Sequence, residues 1–176
     1  MIKLTDILSE ISLTVKKPSA YSIIAITQLD AGIEFKLDNI QYHVSFYCRY
    51  DPYVSDTVHT IPVLSLSFST VENIHTNKEG EMTNANIPFK VLSQVFGCID
   101  IWAEKYKDKF VIANDGEHLN VSAIYFKPAQ EFRGDLRREK IYIEYFKRYA
   151  KLKNSEMSYN KTIGGIQCTF EPELTW

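Results

Sequence analysis

The stretch FRGDLRREKIYIEYFKRYAK, Phe132 to Lys151, holds the densest potential for chemistry in the chain. Its Lys and Arg side chains could neutralise phosphates or carboxylates, and the interleaved rings of Tyr142, Tyr145, Phe146 and Tyr149 could stack on bases. The same residues could equally wall a core. Projection at about 100° per residue separates the two uses. Arg137, Lys140, Glu144, Lys147, Arg148 and Lys151 gather on one narrow face, while Ile141, Tyr142, Ile143, Tyr145, Phe146, Tyr149, Ala150 and Leu152 fill a wider one. The rings therefore read as core rather than as stacking platforms. Arg137, Lys140, Lys147, Arg148 and Lys151 form a candidate interaction face for an acidic or anionic partner. The plainer alternative is a solvated strip whose aliphatic stems cover apolar surface. Arg138 projects inside the wide apolar face, one turn before Tyr142. A guanidinium there needs a carboxylate partner, such as Glu131, Asp135 or a sheet residue. Arg138 and Tyr142 are thus a candidate buried structural pair.

Other constellations offer less. His43, His59, His75 and His118 are scattered, and none has a Cys or His at metal-ligand spacing. His43 lies in a strand pattern and reads as a half-buried packing residue. No Gly-x-Ser-x-Gly and no P-loop occurs. The sequence assigns no catalytic residue, no cofactor and no metal. Cys48, Cys98 and Cys168 are odd in number, widely spaced and set in apolar runs, so reduced buried thiols are expected and no bridge.

The elements that would position these residues follow from periodicity. Thr5 or Asp6 can cap a helix through about Val15, stopped by Lys17 and Pro18. YSIIAITQL, GIEFKL and IQYHVSFYCRY then read as strands, with turns at Asp30-Ala31-Gly32 and Asp38-Asn39. DPYVSDTVHTIP is a polar excursion. VLSLSFSTV alternates Leu64, Leu66 and Phe68 with Ser65, Ser67 and Ser69, which predicts one buried face and one small polar face. Asn73 to Asn86 reads as a linker. Pro88 then opens a helix with Val91, Leu92, Val95, Phe96, Ile99, Trp102 and Tyr106 at spacings of three and four. A strand is expected over Val121 to Phe126, with a short hairpin partner at Phe110 to Ala113. The second long helix starts after Gly134 and Asp135, and TIGGIQCTFEPE is expected as a last strand kinked at Gly164-Gly165.

The predicted fold class is α+β: an antiparallel strand meander, then a β-α-β-α-β half, with the helices packed on one mixed sheet. A chain of 176 residues, 45% of them hydrophobic, can bury one sizeable core. Residues 1–20 read as an amphipathic leader and residues 21–176 as a single domain. A formal charge of -2 argues against a chain built as a whole to coat nucleic acid or an anionic membrane. No run approaches the roughly 20 apolar residues that span a bilayer, and no secretory signal is apparent, so a protein that is neither exported nor membrane-bound is expected.

The β-α-β-α-β half resembles the arrangement of GNAT-type acetyltransferases. Those enzymes cradle the coenzyme A pyrophosphate on a glycine-rich turn leading into the first long helix. Here that turn is MTNANIPFK, with no glycine and one amide removed by Pro88, which disfavours that route to acetyl-coenzyme A. Arg49, the SFST at Ser67 to Thr70 and Glu171-Pro172-Glu173 stand in the order of a pattern found in some ADP-ribosyltransferases, but Pro172 is ill suited to a catalytic strand. The segment from Asn86 to Ala150 resembles a group of small tailed-bacteriophage proteins of unknown function. The resemblance is carried by Val91, Leu92, Ser93 and Val95, by Ile124, Phe126 and Ala129, and by Arg138, Lys140, Ile141 and Tyr142. The leader MIKLTDILSEI is similar to short phage leaders that direct proteins into a prohead and are cut after Leu-x-Glu, here Leu8-Ser9-Glu10. This resemblance implies a non-enzymatic bacteriophage structural or assembly protein in the host cytoplasm or the virion. Its partners would be other phage proteins or a second copy of the chain, with nucleic acid less favoured. The rival readings are a GNAT-like acyltransferase and a phage factor that binds a host protein or nucleic acid.

Overall fold

The computed structural model describes residues 14–26, 30–53, 59–76, 88–106, 123–127, 137–162, 165–172 and 174. The strands are β1 (Tyr21–Ile26), β2 (Asp30–Leu37), β3 (Ile40–Tyr53), β4 (His59–Thr70), β5 (Ala123–Phe126), β6 (Glu156–Thr162) and β7 (Gly165–Glu171). The helices are α1 (Val71–His75), α2 (Pro88–Tyr106) and α3 (Arg137–Leu152). These strands join one mixed sheet in the order β1-β2-β3-β4-β5-β7-β6. Neighbours are antiparallel except β4 and β5, which run parallel with α2 in the connection between them.

Local chemistry explains the meander. Asp38 and Asn39 both take positive φ, 48° and 65°, so Leu37 and Ile40 are joined by the two-residue turn whose twist suits an antiparallel pair. From that turn the register places Ile33 against Val44 and Phe35 against Tyr42. These side chains, with Phe46, Leu64 and Leu66, are buried on one face of the sheet. Ser65, Ser67 and Ser69 alternate to the other face, as the 63–71 pattern predicted.

Three readings are corrected. The polar excursion over 51–62 is partly strand: β3 runs to Tyr53 and β4 starts at His59, because once Cys48 pairs with Leu64 each further residue pair extends the ladder. The linker expected from Asn73 contains the end of α1, whose start is capped by Thr70 Oγ1 accepting from Asn73 N at 3.1 Å. The single kinked last strand is instead a hairpin, β6 with β7, joined across two residues. The run EMSYNKT of β6 offers only Met157 and Tyr159 as an alternating apolar signal, because it lies at the edge of the sheet. The leader helix, the Phe110 to Ala113 strand and the start signals at Gly134 and Asp135 lie outside the described residues. Of the leader helix only Thr14 and Val15 are described, and their backbone is not helical.

Helices α2 and α3 lie on the apolar face of the sheet and meet through rings. Phe146 of α3 stacks on Phe126 of β5 at 4.8 Å and stands edge-on to Phe96 of α2 at 4.7 Å. Phe46 of β3 stacks on Trp102 of α2 at 6.1 Å. Helix α3 ends in a left-handed turn: Asn154 takes φ 54°, Ser155 N donates to Ala150 O and Asn154 N to Lys151 O. This reverses the chain into β6 within three residues of the helix end. Cys98 and Cys168 are buried free thiols in this core, as expected; the side chain of Cys48 is outside the described residues.

The strap of residues 14–18 crosses α2. Lys16 N donates to Ser93 O at 3.2 Å, Ser93 Oγ donates to Thr14 O, and Lys17 pairs with Glu104. The crossing is close because α2 carries Gly97 beneath it: a Cβ there would lie 2.4 Å from Lys16 O and 2.7 Å from Lys17 Cα. Gly97→Leu should push the strap off at a cost of about 1–3 kcal/mol, the usual range for overpacking. The measurement is limited trypsinolysis, where cleavage after Lys16 should become faster while the helical circular dichroism persists. Unchanged cleavage would mean that the strap does not depend on this contact.

Candidate functional site

The exposed side of α3 is the strongest candidate surface. Its burial follows from the 3.6-residue period: Ile143, Tyr145, Phe146, Tyr149 and Ala150 are buried, Ile141 and Tyr142 half-buried. Lys140, Lys147 and Lys151 are exposed one to two turns apart and Arg148 is half-buried on their flank. Glu144 sits between them and holds Lys147 at 3.0 Å, an exposed ion pair worth little in water. From Lys140 to Lys151 the strip is about 17 Å long at 1.5 Å per residue. The structure therefore gathers Lys140, Lys147, Arg148 and Lys151 on one side. Arg137 lies in the first turn of α3 and its side chain is outside the described residues. Leu152, assigned to the wide apolar face by projection, is 61% exposed. It is the last helical residue and extends past the packed part of α3.

Tyr142 meets the edges of two rings, Phe68 of β4 at 6.1 Å and Phe126 of β5 at 5.5 Å. It spans the place where these parallel strands part: their pairing runs from Val63 with Ala123 to Leu66 with Phe126, while β4 continues to Thr70. The side chain of Arg138 is outside the described residues, so the proposed pairing with Tyr142 has no geometry here.

Below the strip a polar staple fixes α3 to α2. Tyr149 OH donates to Asp100 Oδ1 at 2.8 Å, and Lys153 Nζ lies 2.7 Å from the same oxygen. Lys153 also stands 5.5 Å from the centroid of the Tyr149 ring. Burial, followed by the adjacent Asp100 charge and its hydrogen bond, holds the Tyr149 phenol well above its ordinary range. Tyr145 OH donates to Phe89 O at 2.8 Å, and burial pushes this phenol up to about 12, with Arg148 opposing. The arrangement keeps both hydroxyls protonated as donors, which suits a structural link between helices. Periodicity put both tyrosines in the core but could not reveal Asp100 as a partner 49 residues away.

The opposite face of the sheet carries a second constellation that the sequence did not single out. Glu34 Oε1 lies 3.1 Å from His43 Nδ1, and His43 Nε2 lies 2.9 Å from Ser45 Oγ. A carboxylate only accepts, so Nδ1 donates to Glu34, and the Ser45 hydroxyl, which can donate or accept, pairs with Nε2. Glu34 Oε2 also accepts from Gln41 Nε2 at 2.7 Å. The order carboxylate, imidazole, hydroxyl is that of an acyl-transfer relay. Gly32, Ser67 and Ser69 are the neighbouring positions in the register, and the Glu34 to His43 bond ties β2 to β3 as a polar clamp. His43 is thus half-buried, as expected, but hydrogen-bonded on both nitrogens. The signal lay in the Asp38-Asn39 turn, which fixes Glu34 opposite His43 by counting outward.

A cleft of about 360 Å³ opens at the end of the sheet, lined by Asn39, Ile40, Gln41, Thr70, Val71, Glu72 and His75. The Thr70 hydroxyl there already caps α1. Among the described residues no helix is long and apolar enough to cross a membrane. No family model matches the chain, and neither the curated proteins nor the solved structures contain a significant match.

Two outcomes follow from the staple. Tyr149→Phe removes the hydrogen bond to a charged acceptor and should cost about 1.5–3 kcal/mol in urea or thermal unfolding. A cost near zero would reduce the staple to a bystander. The pH dependence has a definite sign. Tyr145 and Cys98 both rise to about 12 in the folded chain, from 10.0 and 9.0. The unfolded chain releases these protons first, so the stability they give is complete below about pH 9 and is lost as pH rises toward 12. Melting temperature should fall across that window, and the fall should be smaller in Tyr145→Phe.

Proposed function

We propose that this chain is a non-enzymatic bacteriophage structural or assembly protein that works by docking other proteins, with the exposed face of α3 as its contact surface. The observation that carries the docking is the cationic strip. A chain with 20 cationic and 22 acidic residues has no net basic charge, yet Lys140, Lys147, Arg148 and Lys151 line one side of α3, where Glu144 is interspersed among them. An acidic protein segment suits it better than nucleic acid. Four cations over about 17 Å fall short of the 6–10 phosphate contacts of a strongly bound duplex. The phage assignment is supported by the residues already named, of which Val91, Leu92, Val95, Ile124 and Phe126 are core positions here. Lys140 lies on the strip itself.

A second reading, a GNAT-like acyltransferase, is favoured by one observation. β4 and β5 are parallel, α2 lies in their connection, and β4 outruns its pairing with β5 by four residues, Ser67 to Thr70. Backbone groups at such a gap can receive an extended ligand. The turn before α2 still lacks glycine, and Tyr142 spans the gap on the helix side.

The tests are separable. Particles purified from the encoding phage should contain this chain by mass spectrometry, and a protein absent from them is no virion component. The double variant Lys147→Glu, Arg148→Glu should weaken binding to its particle partner by roughly tenfold or more while the chain stays folded by circular dichroism. Equal binding would return the strip to plain solvation. Millimolar acetyl-coenzyme A should leave the melting temperature where it was, whereas a ligand at 100 times its Kd would add about 2.7 kcal/mol.

A further inference from the structure

Among the described residues the two edges of the sheet differ. β1, at one end, is broken by a bulge between Ile23 and Ala25, a device that turns an edge away from further pairing. β6, at the other end, pairs with β7 in an unbroken register from Glu156 with Glu171 to Thr162 with Gly165. It contains neither Pro nor Gly, and its central residue Tyr159 is 42% exposed.

Ladder geometry decides which backbone groups of β6 face outward. Thr162 and Gly165 close a two-residue hairpin, and such a closing pair exchanges its hydrogen bonds. By alternation Asn160, Ser158 and Glu156 also bond β7. Met157, Tyr159 and Lys161 therefore turn their N–H and C=O groups out of the sheet.

We propose that β6 is the interface of a symmetric dimer, in which β6 of a second copy of this chain adds antiparallel at this edge with Tyr159 on the two-fold axis. Only this register uses all three outward residues of each strand: Tyr159 bonds its own copy, and Met157 bonds Lys161 on both sides of the axis. The side chains suit it. Tyr159 meets Tyr159, Ser158 lies across from Asn160 and Glu156 across from Thr162, so no like charges are opposed. Lys161 is already held by Glu139 of its own α3 at 2.5 Å, which keeps its ammonium off the axis. The two sheets become one continuous sheet, and the cationic strips stay exposed on the helix layer. A single short edge makes a small interface, so the dimer should form at concentrations on the order of 10–100 µM. This inference does not depend on the cationic strip or on a phage partner.

The test uses the full chain. Sedimentation equilibrium should give a mass rising from 20.4 kDa toward twice that value with concentration. Tyr159→Pro removes an outward N–H without touching the β7 ladder and should hold the chain at the monomer mass. Because that variant could misfold, Tyr159→Cys gives a second measure. Across the axis its Cα atoms are within disulfide reach, whereas those of Ser158→Cys are two residues out of register. Under mild oxidation Tyr159→Cys should cross-link at least roughly tenfold faster than Ser158→Cys. A wild-type mass fixed at 20.4 kDa up to millimolar concentration, a dimer unaffected in a folded Tyr159→Pro, or equal cross-linking of the two cysteines would each overturn the proposal.

Discussion

The ring of Phe146 is the joint on which the structure depends. It lies flat on Phe126 of the sheet and edge-on to Phe96 of α2, so one side chain of α3 ties together three elements far apart in sequence. Aromatic pairs at these separations add about 0.5–1.5 kcal/mol each beyond the area they bury. Tyr145 and Tyr149 flank the joint and also touch Phe96. Every ring turned inward here is unavailable for stacking on a base. The same packing that holds α3 down leaves only its narrow polar side to meet a partner.

Polar contacts around that joint set direction rather than bulk stability. The Asp100, Tyr149 and Lys153 staple and the Tyr145 bond to Phe89 O fix how α3 is rotated and shifted against α2. Both hydroxyls would be costly if left unpaired in the core. A small rotation of α3 would break them and would also carry Lys140, Lys147 and Lys151 toward its neighbours. The orientation of the cationic strip is therefore a consequence of bonds on the opposite side of the helix. The strap over Gly97 acts in the same sense on α2, since it lies against the side of that helix away from the sheet.

Much of this was legible residue by residue. The spacing of Val91, Val95, Phe96, Ile99 and Trp102 marked α2 because burial on a helix imposes a period that composition must obey. The Asp38-Asn39 turn fixed the β2 and β3 register, and the Ser65, Ser67, Ser69 alternation gave the polar face. β6 was missed because an edge strand buries too little on either side to need a pattern. α1 was missed because five residues make little more than one helical turn, too short for a period to show. Leu152 was misplaced because projection knows the angle of a residue but not where the packed part of the helix ends.

The α+β class, the two long helices, the buried face of the sheet and the cationic side of α3 can all be read from the order of residue types. All of these arise from local periodicity and from the cost of burying charge. The strand order with β7 inside β6, the pairing of Asp100 with Tyr149, the Glu34, His43 and Ser45 clamp and the unbroken edge of β6 arise only in the folded chain. These depend on which distant residues come to lie side by side. That is set by the best joint packing of the whole sheet and its helices, which no window of neighbouring residues contains.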